Sequence, residues 1–207
     1  MRKSKAVLYV HGKGGSASEA DFYRPFFHHS PVIGLDYRAD TPWEAKEELR
    51  SIAAAFIRKS EPFILIANSI GAYFSMLAFA DDGMVEHAYF ISPIVDMESL
   101  IRTMMTTAGV TETDLKEKKT VLTENGETLS WDYLHYVRTH PVRWDRPTSV
   151  LYGQNDFLVS FKTISAFSAR TGADLTVMEN GEHWFHTDEQ MRFLARWIEE
   201  TRSRTGC

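Results

Sequence analysis

Phe63-Ile64-Leu65-Ile66-Ala67-Asn68-Ser69-Ile70-Gly71 runs from five apolar residues through a short polar turn into a second apolar stretch that reaches Ala80. A continuous apolar run of this length, opened by Pro62 and closed by a turn, predicts a central strand buried on both faces. Residues 70–80 are apolar nearly all round, which predicts a deeply buried helix. A buried strand passing straight into a buried helix is the unit of an α/β protein with a mainly parallel sheet.

The flanking sequence repeats the alternation. Ala6-Val7-Leu8-Tyr9-Val10 and Pro31-Val32-Ile33-Gly34-Leu35-Asp36 read as strands before the central one. His87 to Ser92, Ser149 to Tyr152 and Leu175 to Met178 read as strands after it. From Trp43 to Ser60 the apolar residues Leu49, Ile52, Ala53, Phe56 and Ile57 fall at helical spacing, which predicts an amphipathic helix. A last helix is expected over Asp188 to Thr201, with Met191, Leu194 and Ile198 facing in and a Thr187/Gln190 capping box at its start.

Between Pro93 and Pro147 no strand stands out. Met97, Leu100, Ile101, Met104 and Met105 share one helix face, and Trp131, Leu134 and Val137 or His135 suggest another. A charged stretch, Thr111 to Gly126, lies between them. The expectation is a helical insertion at about 94–146 within a single domain spanning 1–207, one domain being the default for a chain of 207 residues.

Bulk composition narrows the function. Hydrophobic residues make up 43% and charged residues 25%, ordinary for a globular protein. The formal net charge of −5 and scattered basic residues give no footprint for nucleic acid. No segment reaches the roughly 18 apolar residues of a membrane span. The one cysteine, Cys207, cannot form an internal disulfide and is read as part of a loose tail. A cytoplasmic protein acting on a small molecule is the expectation.

Four positions carry chemistry. A serine at a strand-to-helix turn can expose its hydroxyl above the sheet edge, and small neighbours two residues away let the helix pack against the turn. Gly71 meets that need; Ala67 stands where glycine is commoner. His11-Gly12-Lys13-Gly14-Gly15 follows the first strand, and such a turn lets backbone N–H groups approach a developing oxyanion. It lacks the Walker pattern and a complete GxGxxG, so a phosphate-binding loop is the weaker reading. Tyr152-Gly153-Gln154-Asn155-Asp156 puts a carboxylate at the end of a strand, with Asp96 as rival. His183 and His186 compete as the base. His183 lies nearer the last strand, and His186 adjoins the capping Thr187. Two histidines without a third ligand make a poor metal site, so neither metal nor cofactor is expected.

The order Ser69…Asp156…His183, with His-Gly-x-Gly-Gly upstream, resembles the α/β-hydrolase superfamily over nearly the whole chain. The resemblance implies an α/β-hydrolase fold with helices on both faces; the chain departs from the family pattern in that the strand before His11 comes almost at once, so the usual leading hairpin is not expected and the sheet is read as about six strands. The resemblance also implies Ser69 as nucleophile, His183 as general base and then acid, and Asp156 as the group that orients His183. The backbone N–H groups of Lys13 and Ile70 would form the oxyanion hole. If the insertion lies over Ser69, Met104 and Trp131, with Trp184 beside the histidine, would line an apolar pocket suited to a small or medium ester or thioester. The same triad could serve carbon–carbon cleavage or acyl transfer, and a non-catalytic binding protein is the reading from another class.

Overall fold

The computed structural model describes residues 5–57, 61–81 and 83–206. In chain order the elements are β1 (Val7–Val10), a 3₁₀ segment (Ala17–Phe26), β2 (Val32–Gly34), α1 (Pro42–Ala53), β3 (Phe63–Asn68), α2 (Ile70–Phe79) and β4 (Val85–Ile91). Then come α3 (Met97–Thr107), α4 (Glu112–Lys118), β5 (Thr120–Leu122), β6 (Thr128–Ser130) and α5 (Trp131–Thr139). The chain closes with β7 (Thr148–Gly153), α6 (Phe161–Thr171), β8 (Asp174–Met178) and α7 (Asp188–Thr205).

Six strands form one sheet in the order β2-β1-β3-β4-β7-β8, every neighbouring pair parallel. The alternation of a strand's side chains divides the core. Leu8, Val10, Leu65 and Ala67 face α1, α2 and α6, while Val7, Tyr9, Ile64 and Ile66 face the 3₁₀ segment and α7. Both faces are therefore covered, as a parallel sheet requires. From β1 the chain steps outward to β2, then returns across β1 to β3. The C-terminal ends of β1 and β3 lie side by side, Val10 opposite Ala67, at the point where strand order reverses. Crevices at such points are where open α/β sheets bind ligands.

The stretch between β4 and β7 packs on the α1/α2 side, contributing Met97, Ile101, Leu115, Leu129 and Leu134 to that core. Trp43 of α1 meets the rings of Tyr133 and Tyr136 on α5, at centroid distances of 6.3 and 5.4 Å. Here one expectation needs correcting. The stretch contains a strand pair, the antiparallel hairpin β5–β6. Its strands are three residues long and bury only Leu129, too little for an alternating pattern to register. The charged run contains α4, which buries only Leu115 and starts at a Thr111/Asp114 capping box.

Other boundaries shift. The helix expected over 43–60 ends at Ala53, because the backbone then tightens into i→i−3 bonds, Ala55 N–H to Ile52 O (3.1 Å) and Phe56 N–H to Ala53 O (2.9 Å). Phe56 is thereby turned outward, 46% exposed, and the buried stripe stops. Residues 58–60 of that expected helix, and Cys207, lie outside the described residues. The last helix runs on to Thr205 because Trp197 and Thr201 keep its inner face buried, and Gly206 at φ +71° closes it. Its capping box is present. Among the described residues no helix is long and apolar enough to cross a membrane.

Candidate active site

Ser69 is the hinge of the β3–α2 turn. Its backbone stands at φ 53°, ψ −122°, a conformation that L-residues avoid and that persists only where packing enforces it. The enforcement is visible. Ser69 N–H donates to Ile91 O (3.0 Å), and Ser69 O accepts from the N–H groups of Ala72 and Ile94 (both 3.1 Å). Gly71 lies against the β1 turn: a Cβ there would sit 2.4 Å from His11 O and 2.7 Å from Val10 O. Ala67 is fully buried, so the turn accommodates its methyl. Although Ser69 stands at the N-cap of α2, its hydroxyl makes no capping bond.

That hydroxyl faces His183 instead. Ser69 Oγ lies 2.8 Å from His183 Nε2, across 114 residues of sequence. His183 Nδ1 lies 2.7 Å from Asp156 Oδ2. A carboxylate only accepts, so the Nδ1–H donates to it and Nε2 is left to accept from Ser69. The other Asp156 oxygen accepts from the N–H groups of Leu158 (2.8 Å) and Val159 (2.9 Å). The Asp156 side chain is wholly buried and that of His183 nearly so. Three donors thus hold the carboxylate in one orientation, and the carboxylate holds the imidazole.

Topology makes the meeting possible. Asp156 follows β7 and His183 follows β8, so only β4 separates Asp156's strand from that of Ser69. Tyr152 O–H donates to Val159 O (2.8 Å) and shapes the Asp156 loop. Asn155 N–H donates to Gly181 O (2.7 Å) and joins that loop to the His183 loop.

The rival residues have other partners. Asp96 caps α3, its Oδ1 accepting from Ser99 N–H (2.9 Å). His186 is exposed, its Nδ1 at 2.8 Å from Trp184 O and its ring stacked on Trp184 at 4.4 Å. Among the described residues no group of three or more His, Cys, Asp or Glu is placed to hold a metal ion.

The His11–Gly15 turn reaches Ser69. A Cβ on Gly12 would lie 3.1 Å from Ser69 Cβ and 3.8 Å from Ser69 Oγ, so glycine lets this backbone lie against the hydroxyl. Tyr37 holds the turn from below: its ring stacks on His11 at 4.4 Å and its O–H donates to His11 O (2.8 Å). Burial pushes the Tyr37 phenol well above its ordinary pKa, which keeps it a donor. Sequence reasoning missed Tyr37, which no local pattern marks. Lys13 sends its ammonium to Glu127, at the end of the β5–β6 turn. Ile70 is the first residue of α2, where helix N–H groups have no intrahelical acceptor.

The three residues expected to line a pocket come from three different segments. Met104 packs, half-buried, against the core from α3. Trp131 has His135 stacked beside it (6.2 Å) and the Lys116 ammonium over its ring (5.5 Å). Trp184 is 67% exposed. A ring that sequence reasoning passed over, Phe157, stands 6.2 Å from His183.

No protein-family model matches the sequence, and no curated protein does. Solved structures do. Est1E from Butyrivibrio proteoclasticus is 14% identical with a TM-score of 0.76, the match covering 99% of this chain and 89% of that one. A structure of Est1E with ferulic acid bound gives 15% identity and a TM-score of 0.74 over 98% and 90%. Alpha/beta hydrolase domain-containing protein 10 from mouse gives 16% and 0.73 over 96% and 90%. At these identities the likeness is one of fold.

Proposed function

We infer that this chain, an α/β-hydrolase by its fold, is a serine hydrolase that cleaves a carboxylic ester or thioester through an acyl-serine intermediate. The observation that carries this reading is the unbroken chain Ser69 Oγ–His183 Nε2 (2.8 Å) and His183 Nδ1–Asp156 Oδ2 (2.7 Å), built on a strained serine at a sheet switch point.

The steps follow from the geometry. His183 Nε2 takes the Ser69 proton as Oγ attacks the acyl carbon. Asp156 stabilises the imidazolium and keeps Nε2 aimed at the reaction. The oxyanion is received by the N–H groups of Lys13 and Ile70, on the two backbones that meet at Gly12 and Ser69. His183 then protonates the leaving group. A water attacks the acyl-serine by the same route and restores Ser69.

The substrate class follows from the surroundings. Glu127, in the stretch between β4 and β7, pairs with Lys13 of the glycine turn, and the Phe157 ring borders His183 at 6.2 Å, so an apolar ring flanks the site. A small or medium apolar acyl or aromatic group suits it. Ferulic acid bound to Est1E, an aromatic acid in a chain of this fold, agrees with that class.

Labelling by a fluorophosphonate probe tests the chemistry: wild-type protein is labelled and Ser69→Ala is not. Folded wild-type protein that resists the probe overturns the reading. p-Nitrophenyl esters of graded chain length then measure the pocket.

A further inference from the structure

The two edges, or lips, of the Ser69 site differ in character. On the side of the glycine turn stands a charged pair, Lys13 and Glu127. On the histidine side, large apolar side chains face outward: Phe157 is 81% exposed, Trp184 67% and Leu158 38%. Soluble surfaces carry single exposed apolar residues without consequence, but a group of them beside a reactive centre marks a binding surface. These residues are fixed to the machinery. Phe157 and Leu158 follow Asp156 directly, and the Leu158 N–H is one of the donors to its carboxylate. The Phe157 ring stands edge-on to His183, centroids 6.2 Å apart and planes at 62°. Trp184 follows His183, its ring held by stacking on His186.

We propose that this apolar lip is the leaving-group subsite, and that the substrate is an ester whose alcohol portion is hydrophobic. The proposal rests on the serine-hydrolase reading. In that reading Ser69 Oγ bonds to the acyl carbon, the bond from that carbon to the alcohol oxygen breaks, and the proton taken from Ser69 passes from His183 Nε2 to that oxygen. The alcohol must therefore lie against His183 when it leaves, whatever the acyl group does. The ring that borders His183 there is Phe157, with Leu158 next to it in the chain and Trp184 next to His183. An apolar alcohol covers rings that otherwise stand in water. A methyl alcohol does not reach them, and an anionic one gains nothing from them.

Two butyrate esters separate the alcohol from the acyl group, one of methanol and one of 2-phenylethanol. Both pass through the same butyryl-serine. Phe157→Ser, Trp184→Ser and the double variant are compared with wild type, and Phe157→Leu serves as the conservative replacement. Losing one apolar contact is worth about 5- to 30-fold in kcat/KM. The expected result is a loss of that size on the phenylethyl ester, largest in the double variant, with the methyl ester within about two-fold and the rate of butyryl-enzyme hydrolysis unchanged. Phe157→Leu restores most of the loss. Equal losses on both esters, slowed butyryl-enzyme hydrolysis, or no loss on either overturns the subsite. Fluorophosphonate labelling of wild-type Ser69 keeps the two readings apart: labelling without alcohol selectivity overturns the subsite alone, and absence of labelling overturns both.

Discussion

Gly153 and Gly181 stand back to back: a Cβ on Gly153 would lie 2.4 Å from Glu182 O and 2.6 Å from the carbonyl carbon of Gly181. One glycine ends β7, three residues before Asp156, and the other precedes Glu182-His183. Their contact is what brings the two loops close enough for the Asp156–His183 bond. Gly153→Ala must push backbone against backbone, with no flexible side chain to give way. It is expected to cost about 1–3 kcal/mol of stability and, by displacing His183, about 10²-fold in kcat. Urea unfolding and ester kinetics on the same preparation check both.

Asp156 has two jobs that substitution can separate. Asp156→Asn keeps a carbonyl oxygen for the N–H groups of Leu158 and Val159 but no longer accepts reliably from His183. Its kcat is expected to fall by about 10³–10⁴, with stability nearly unchanged. Asp156→Ala leaves those two N–H groups without their acceptor and should lose about 1–3 kcal/mol in addition. Equal unfolding midpoints for the two variants would contradict the loop-holding role.

His87 gives the fold an acid-sensitive point away from the site. It is buried on β4, with Nε2 3.0 Å from Ser149 Oγ, and burial lowers its pKa below 6.5, partly opposed by Glu86 and Asp174. Above 6.5 the imidazole is neutral in both folded and unfolded chains. Below it the unfolded chain binds a proton that the folded one refuses, so stability is lost as pH falls from 6.5 to the lowered folded value. His87→Gln, which keeps a hydrogen-bonding group toward Ser149, should flatten this dependence. Unfolding free energies at about pH 7.5 and about pH 5 measure it.

Arg138 ties α3, α4 and α5 together. From α5 its guanidinium donates through Nε to Glu98 of α3 (2.8 Å) and through both terminal nitrogens to Glu112 of α4 (2.7 and 2.8 Å). The bidentate bond holds the Glu112 carboxyl below its ordinary pKa. Arg138→Ala should cost about 1 kcal/mol, since the pair is partly exposed. The loss should appear as faster amide exchange in α4, whose one buried anchor is Leu115. Arg138→Lys should recover little, because an ammonium cannot span both carboxylate oxygens.

What could be read without coordinates follows the length of the local signal. β1, β3, β4, β7 and α2 are dense apolar runs, and each was recognisable within a residue or two. α4 and the β5–β6 hairpin bury one side chain each, Leu115 and Leu129, so no periodicity announces them. α6 was passed over as well, its buried stripe amounting to Ile164, Phe167 and Ser168. Ser69, Asp156 and His183 could be picked out because each follows a strand in an order shared with a known superfamily. Tyr37, Gly153 and Phe157 could not be given their places, since what matters about each is a neighbour far along the chain.

The sequence by itself determined the alternation of strands and helices, the serine at the β3–α2 turn and the glycine turn after β1. Periodicity and turn chemistry act between near neighbours and need no knowledge of the rest. Only the tertiary structure decided that Asp156 rather than Asp96, and His183 rather than His186, meet in one hydrogen-bonded chain with Ser69. It also decided that Phe157 and Trp184 stand outside the core. Those outcomes depend on where loops are carried by the packing of β7 against β4 and β8, and contacts across 27 and 114 residues leave no trace in any local pattern.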